Sequence, residues 1–201
     1  MSRTRLGKEA RKQQIQQVAS QLFLDKGFKS TTMDDIRIAT GLSAGGLYHH
    51  YANTYEILYD LMVYGNRLRE NSIDETLTKA KHKITPRIMA KIVLDKMLAD
   101  NQFVPLYVMF LCEVKNDEKL LELYITLKKI VTKGIEEQIR KLGYKAPSQR
   151  EFEFLANLIN ASLLGCEILN ARDSFKENRE SLLLMLEGYF EKIGGHHEAR
   201  H

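Results

Sequence analysis

Two helix-start signals lie close together near the N-terminus of this chain, and they leave little freedom in how that region folds. The first is Thr31 or Thr32, each followed three residues later by an aspartate, Asp34 or Asp35. In a capping box the threonine side chain accepts a hydrogen bond from the backbone of the third helical residue, whose own side chain returns one. The spacing therefore predicts a helix over residues 33–40.

The second signal follows a short turn that begins with Gly41. Glycine is a common helix stop, because it adopts the left-handed backbone that closes a helix at little steric cost. Ser43 is a favoured N-cap residue and predicts another short helix over residues 44–51. Two short helices joined by such a turn form a helix-turn-helix, whose second helix typically enters the DNA major groove.

The residues expected on the second helix have the chemistry of a surface that binds DNA bases. Small residues in its first turn would allow close approach, and the tyrosine and histidines that follow supply hydrogen-bonding groups. Backbone N–H groups at the start of both helices can bind phosphate oxygens. Each feature alone also fits a loop or a solvated or buried histidine pair, and only their joint order favours DNA binding. The predicted DNA-binding residues are Thr32, Ser43, Ala44, Gly45, Gly46, Tyr48, His49 and His50.

The rest of the chain has the pattern of an all-α protein. Three prolines and twelve glycines are few for 201 residues, and apolar residues recur at helical spacing. We expect an N-terminal three-helix DNA-binding domain over residues 1–52 and a helical ligand-binding and dimerisation domain over residues 53–201. Further helices are predicted near residues 8–25, from Asn53 past Asn71, and near 73–82, 86–99, 103–115, 117–142, 149–171 and 175–193, with breaks at 85–86, 101, 116–117, 143–147 and 173–174.

The excess positive charge lies at the N-terminal end. Residues 1–50 contain eight lysines and arginines against four acidic residues, whereas the remainder contains twenty-two of each, which together give the net charge of +4. This arrangement suits a polyanionic partner, and a solvated charge run is the alternative interpretation. The excess includes Arg3, Arg5, Lys8, Arg11 and Lys12.

Several kinds of protein are disfavoured. The longest apolar run, residues 103–112, includes Pro105 and is too short to cross a bilayer. No apolar segment follows the basic N-terminus as in a secretory signal, so we expect a cytoplasmic protein. In that reducing compartment Cys112 and Cys166 are predicted to be small buried hydrophobic residues, and neither a disulfide nor a metal site is expected.

The sequence also lacks the usual marks of an enzyme. It contains no phosphate-binding glycine loop and no Cys-x-x-Cys pair, so we expect no catalytic activity and no cofactor. The one Glu-x-x-His spacing joins Glu198 to His201, close to His196 and His197. A carboxylate-bridged metal centre needs such motifs on two facing helices, so a flexible tail without metal is the expectation.

The N-terminal region resembles the TetR family of repressors. The resemblance covers about residues 10–62 and is carried by FLDKGF at 23–28, TTMDDI at 31–36 and GLSAGGLYHHY at 41–51. It implies a homodimer that binds a palindromic operator and a diverse C-terminal domain whose inducer releases the DNA. It also implies groove contacts by Ala44, Gly45, Tyr48 and His49, and phosphate contacts by Thr32, Tyr48 and His50.

Some positions depart from the family pattern. A Lys-Glu pair usually opens the fourth helix, with the lysine on a phosphate, and this chain has Thr54 and Tyr55 there. Arg37 replaces a small residue and Ile38 a polar one. Without the lysine, DNA binding would be weaker and its sequence preference unchanged, and Arg37 or the basic residues before the first helix would compensate. The alternative is a ligand-binding or protein-interaction module of the same fold without DNA binding.

The effector is predicted to be a small apolar molecule. Methionine and aromatic side chains can adapt around a ligand, and no basic cluster accompanies them as a phosphorylated effector would require. The same residues would also suit an ordinary core. The predicted ligand-binding residues are Met89, Val93, Met97, Phe103, Tyr107, Phe110, Leu111, Tyr124 and Asn157.

The last two long helices are predicted to form a dimer interface. The helix near residues 149–171 is apolar on most sides and needs partners on several faces, and Ala156, Ser162 and Gly165 would allow close approach. Two-fold symmetry also suits a short helix that recognises one half of a palindrome. Closure of a monomer core is the alternative. The final helix would contribute Leu182, Leu183, Leu186, Tyr189, Phe190 and Ile193.

Overall fold

The computed structural model describes residues 7–79, 84–141 and 146–198, and its regular secondary structure there is entirely helical, as predicted. None of the helices in these ranges has the length and apolar character needed to span a membrane. The helices are α1 (Lys8–Lys26), α2 (Met33–Thr40), α3 (Ala44–Tyr48), α4 (Thr54–Lys79), α5 (Pro86–Met97), α6 (Val104–Val114), α7 (Glu118–Lys141), α8 (Gln149–Ile168), α9 (Arg172–Glu177) and α10 (Arg179–Glu198).

The predicted helix-turn-helix is present. The Asp35 backbone N–H donates to the Thr32 hydroxyl at 3.1 Å, and the Asp35 carboxylate accepts from the Thr32 backbone N–H at 2.7 Å, so the capping box starts α2. Gly41 ends this helix with a left-handed φ of 66°. Ser43 then accepts a hydrogen bond from the Gly46 N–H at 3.1 Å and starts α3.

The second short helix is shorter than predicted. It ends at Tyr48, whereas the sequence pattern extended it to Tyr51. Tyr51 lies in the core, where its hydroxyl accepts from the Gln16 amide at 2.8 Å and donates to Asp60 at 3.0 Å. These bonds tie the segment after α3 to the neighbouring helices, a long-range constraint that helical periodicity does not contain.

Helix α4 is longer than predicted. It runs without a break from Thr54 to Lys79, so the described part of the helix predicted over residues 73–82 belongs to it. The Asn53 side chain accepts a hydrogen bond from the Glu56 N–H at 3.0 Å, which confirms the predicted start. Residues 80–83 and residues 142–145, which include most of the break predicted at 143–147, lie outside the described ranges.

The helix boundaries after α8 also differ from the predicted ones. The helix ends at Ile168, and Asn170 has a positive φ of 53°. The break predicted at residues 173–174 lies inside α9. The helix predicted from residue 175 is divided at Asn178, between α9 and α10. Arg172 explains the shift, because its guanidinium donates to the backbone carbonyls at the end of α5, at 3.2 Å to Leu98 and 2.5 Å to Ala99.

The chain divides into two compact units. The first unit comprises Met1–Arg67 and Pro105–Lys128. Its core joins α1 to α4 with α6 and the first part of α7, and Phe23, Leu47 and Phe110 are fully buried in it. The helix-turn-helix therefore shares one hydrophobic core with α6 and α7, which begin more than fifty residues later in the chain.

The second unit comprises Leu68–Val104 and Lys129–His201. Its main core is built from α5, α8 and α10, with Leu94 and Phe190 among its buried residues. The functional division into residues 1–52 and 53–201 stays a prediction.

The two cysteines differ in their surroundings. Cys166 is buried as predicted, and burial raises the pKa of its thiol. Cys112 is exposed, contrary to the prediction. Helix α6 turns Leu106 and Phe110 toward the core, and Cys112 falls on the opposite side of the same helix.

Candidate nucleic-acid interface

Helix α3 combines a buried anchor with an exposed tyrosine. Leu47 has no exposed surface and holds the helix in the core of the first unit, whereas its neighbour Tyr48 is 55% exposed. Since no core contact accounts for a tyrosine in this position, its phenol is available to an external partner. The helical register of the sequence predicts Leu47 and Tyr51 on the inward face, and both are buried.

The two glycines of α3 have different roles. A Cβ atom on Gly46 would lie 3.1 Å from the hydroxyl oxygen of Ser43, so the serine cap requires a small residue there. A Cβ atom on Gly45 would meet nothing within 4 Å, and its φ is not positive. Glycine destabilises a helix relative to alanine, so nothing within the described chain explains Gly45.

The end of α3 carries two histidines in ring contact. The ring centroids of His49 and His50 lie 5.2 Å apart, and His49 is exposed. The Nδ1 atom of His50 is buried and has no hydrogen-bond partner among the described residues. Burial lowers the pKa of His50, and the nearby positive groups of His49, Lys12, Lys8 and Arg11 lower it further.

The predicted DNA-binding residues lie together on the surface of the first unit, around α2 and α3. Only Gly46 and His50 are half-buried, and the other six are exposed. Their contact with DNA stays a prediction. The same segment contains the glycine-x-serine-x-glycine spacing of a hydrolase nucleophile at residues 41–45, but that motif needs a strand-to-helix turn. Here Ser43 lies between two helices and serves as a cap.

Two of the residues that depart from the family pattern, Tyr55 and Arg37, have identifiable structural roles. The Tyr55 hydroxyl donates to Asp117 at 2.8 Å, and its ring packs edge-on against Phe28 at 5.0 Å. Asp117 also accepts the backbone N–H groups at the start of α7, so Tyr55 joins the start of α4 to that of α7. Arg37 pairs with Asp34 at 2.6 Å.

A pocket of about 420 Å³ lies behind the end of α3, within the first unit. It includes the Lys12–Asp60 ion pair at 3.0 Å, which sequence reasoning missed because its partners are 48 residues apart. No local spacing would have revealed it. The lining residues are Lys12, His50, Tyr51, Asn53, Tyr55, Glu56, Tyr59, Asp60, Lys119 and Leu123.

The predicted effector-binding residues fall into separate groups. Met89, Val93 and Met97 pack in the main core of the second unit. The core of the first unit contains Tyr107, Phe110 and Tyr124. Of the remaining predicted residues, Phe103 and Leu111 are half-buried and Asn157 is exposed. Their role in ligand binding stays a prediction.

The predicted interface residues of α10 all contact the chain's own core. Leu186 and Phe190 are buried in the chain's own core, as in the alternative of a closed monomer core, and their four companions are half-buried against it. Other apolar side chains of α8 and α10, and of the turn after α8, remain at least half exposed. They are Phe154, Ile168, Leu169, Leu184 and Met185.

The region that contains the helix-turn-helix matches a known protein family. The family described as "Bacterial regulatory proteins, tetR family" matches residues 15–61. The HTH-type transcriptional repressor KstR2 of Mycolicibacterium smegmatis is 33% identical over 87 residues, which are 40% of this chain and 41% of that protein. The chain thus matches less than half the length of this relative.

Two solved structures share the fold over nearly the whole chain. A TetR-family regulator from Syntrophomonas wolfei superposes with a TM-score of 0.67 at 17% identity, over 93% of this chain and 96% of that one. FadR of Bacillus subtilis, solved in complex with stearoyl-CoA, gives 0.57 at 16% identity, over 87% and 96%.

Proposed function

Since the chain belongs to the TetR family of bacterial transcriptional regulators, we propose that it is a repressor that binds a palindromic operator as a homodimer and is released by a small apolar effector. The observation that carries this proposal is α3 itself. Its first turn is free of bulky side chains, and the exposed Tyr48 follows on a helix anchored by the buried Leu47. A helix of this kind can enter the major groove without disturbing the core beneath it.

A second copy would bind through the exposed apolar surfaces of α8 and α10. Large side chains that are more than half exposed, such as Leu169, Leu184 and Met185, are unfavourable in water when they lie close together. Two-fold pairing would cover them and would present two recognition helices to the two halves of a palindrome. We therefore place the interface on these residues in preference to Leu186 and Phe190, which pack within the chain.

The effector is proposed to be lipophilic, and the B. subtilis FadR complex with stearoyl-CoA supports an acyl-chain compound as the first class to test. The adaptable side chains Met89 and Met97 of the second unit are the proposed contacts. A thermal-shift screen of fatty acids, acyl-CoA thioesters and sterols would test the class. If none of these compounds raises the melting temperature, the proposed effector class is contradicted.

Operator binding separates the repressor from the alternative of a helical module without DNA affinity. The test is fluorescence anisotropy with a duplex taken from upstream of the chain's own gene, at several salt concentrations, against a shuffled duplex of the same composition. We expect at least roughly 1,000-fold preference for the upstream duplex, because specific and non-specific affinities of such proteins differ by this much or more. Equal affinity for both duplexes, or no binding, would favour the alternative.

A further inference from the structure

The first turns of α1 and the end of α3 together form a positively charged surface. Lys12 and His50 line the same pocket, and the ring of His49 contacts that of His50. Lys8 and Arg11 lie close enough to help lower the pKa of His50. We call these five residues the α1–α3 basic cluster. It lies beside the residues predicted to contact DNA, and it joins a part of the chain before the helix-turn-helix to the end of the recognition helix.

Lys8 and Arg11 supply the net charge of this cluster. Lys12 is engaged, since its ammonium pairs with Asp60 at 3.0 Å and lies 5.0 Å from the centre of the Tyr51 ring. Arg11 hydrogen-bonds at 2.6 Å to the neutral amide of Gln14, and no ion pair of Lys8 occurs among the described residues. Both charges are therefore available to an anion.

The other charged groups around His50 lie on α4, α7 and α1, and all of them but Glu9 are engaged within the chain. On α4, Glu56 accepts the Ala52 backbone N–H at 2.8 Å, and Asp60 is bound to Lys12 and Tyr51. On α7, the Lys119 ammonium lies 5.1 Å from the centre of the Tyr55 ring. On α1, Glu9 is the acidic residue of the first turn, and it is exposed.

The remaining cations near the helix-turn-helix carry little net charge. Arg37, the alternative source of a phosphate contact, pairs with Asp34 at 2.6 Å, and this carboxylate raises the pKa of Arg37. Lys26 pairs with Asp35 at 2.6 Å. Lys29 pairs in the same way with Glu113, at 3.2 Å. A phosphate that approaches these cations meets a carboxylate paired with each of them, whereas no ion pair of Lys8 or Arg11 occurs among the described residues.

We propose that the α1–α3 basic cluster binds the DNA backbone flanking the recognition helix, and that Lys8 and Arg11 supply the positive charge that Thr54 does not provide at the start of α4. This inference rests on the proposed function and adds the part of the chain that neutralises the flanking phosphates. The ligand is the phosphodiester backbone of duplex DNA, which these two residues recognise without regard to base sequence.

The salt dependence of DNA binding tests this assignment. The logarithm of the binding constant falls with the logarithm of salt concentration by about 0.9 for each phosphate neutralised. We therefore expect the double variant Lys8→Gln and Arg11→Gln to reduce the slope by about 1.8 per subunit, and to weaken upstream and shuffled duplexes by the same factor. The matched control, Arg37→Gln, should change the slope by less than about 0.5.

His50 provides a second measurement on the same complex. Burial lowers the pKa of His50 in the free protein, and the positive groups around it lower this pKa further. A phosphate bound there must raise the pKa, so the ring titrates at higher pH when DNA is present. Proton NMR of His50 with and without a mixed-sequence duplex of about two helical turns measures this shift, and the assignment is made with His50→Gln. In the double variant the free ring should already titrate closer to its ordinary pKa, and DNA should shift it less.

The outcomes distinguish the two proposals. If the wild-type protein binds DNA and the double variant keeps its salt slope, or Arg37→Gln removes as much of the slope, the cluster is not the flanking contact and only this inference fails. An unchanged His50 pKa in the wild-type complex has the same meaning. If the wild-type protein binds neither duplex, the repressor itself is contradicted.

Discussion

The helix pair α2–α3 and the helix pair α8 and α10 differ in what determines the exposure of their residues. In α2–α3 the short-range bonds of Thr32, Gly41 and Ser43 set the conformation. In α8 and α10 the contacts with α5 decide, so that Leu186 is buried and Met185 beside it is 71% exposed. In the first pair, the sequence alone thus distinguishes residues with a structural role from residues that are free to bind a partner. In the second pair, only the packing of the folded chain distinguishes them.

The largest effect is expected from the α8 and α10 surfaces. Leu184→Glu combined with Met185→Glu places two charges on side chains that are 58% and 71% exposed, where they cost the monomer little and a paired interface much. We expect a monomer in sedimentation velocity, and operator affinity reduced to the non-specific level, roughly 1,000-fold.

The control for this variant is Leu24→Glu on α1, which is 40% exposed and lies outside the proposed interface. It should leave the sedimentation coefficient unchanged. A double variant that still sediments as a dimer would show that exposure on α8 and α10 does not mark the interface, and the two helix pairs would then no longer differ in this respect.

The next effect is expected from Tyr48→Ala in α3. The side chain is 55% exposed, so its loss should leave the unfolding free energy nearly unchanged. Operator binding should weaken by roughly 100-fold, enough to abolish a footprint at moderate protein concentration, because a groove contact of this kind contributes about 1 to 3 kcal/mol. Tyr59→Ala, at a tyrosine of α4 that is 37% exposed, is the matched control, and it should footprint normally. A normal footprint with Tyr48→Ala would exclude Tyr48 from the interface.

Much of the fold was predictable from the sequence because the chain signals many of its helix boundaries locally. The capping box at Thr32 and the caps at Ser43 and Asn53 each agree with the prediction. The errors occur where a distant residue decides. Tyr51 leaves the helix for partners on α1 and α4, and Arg172 shifts a boundary by binding the carbonyls of Leu98 and Ala99, just after α5.

The candidate site follows the same rule. The exposure of Tyr48 and the inward face of Leu47 were predictable, since both follow from the register of one capped helix. Sequence alone offered Arg37 or the basic residues before the first helix as a second phosphate contact, and it did not single out Lys8 and Arg11 of α1. That choice depends on whether a carboxylate lies beside each cation, and the Lys12–Asp60 pair shows how far along the chain such a partner can be.

A smaller effect is expected from Gly45→Ala, and here stability and affinity should change in opposite directions. A Cβ atom at Gly45 meets nothing within 4 Å in the free protein. Alanine should therefore raise the unfolding free energy by up to about 1 kcal/mol in urea titrations. If DNA approaches this turn closely, the added methyl group should weaken operator binding by about tenfold, or about 1.4 kcal/mol.

Gly46→Ala is the comparison for that variant. Its Cβ would lie 3.1 Å from the Ser43 hydroxyl, so it should lower stability by disturbing the cap. A Gly45→Ala protein that is more stable and binds the operator as tightly as wild type would mean that this turn does not face the bases. The local hydrogen bonds would then explain the conformation of α3 without predicting which of its residues contact DNA.

The smallest effect is expected from the charge of the capping box. Hydrogen bonds from Lys26 and Thr32 hold the pKa of the Asp35 carboxyl well below its ordinary value of 3.8. A lowered pKa stabilises the folded state above the unfolded pKa, and this stabilisation is lost as the pH falls below about 3.8. Asp35→Asn should therefore unfold at lower urea than wild type at pH 7, with the difference shrinking as the pH falls through the acid range.

Asp34→Asn, which leaves the box intact, should show a smaller difference at pH 7 because its exposed pair with Arg37 contributes little. Equal midpoints for Asp35→Asn and wild type at pH 7 would mean that packing by Ile36 and Leu47 determines the conformation of α2–α3. Tertiary packing would then control both helix pairs.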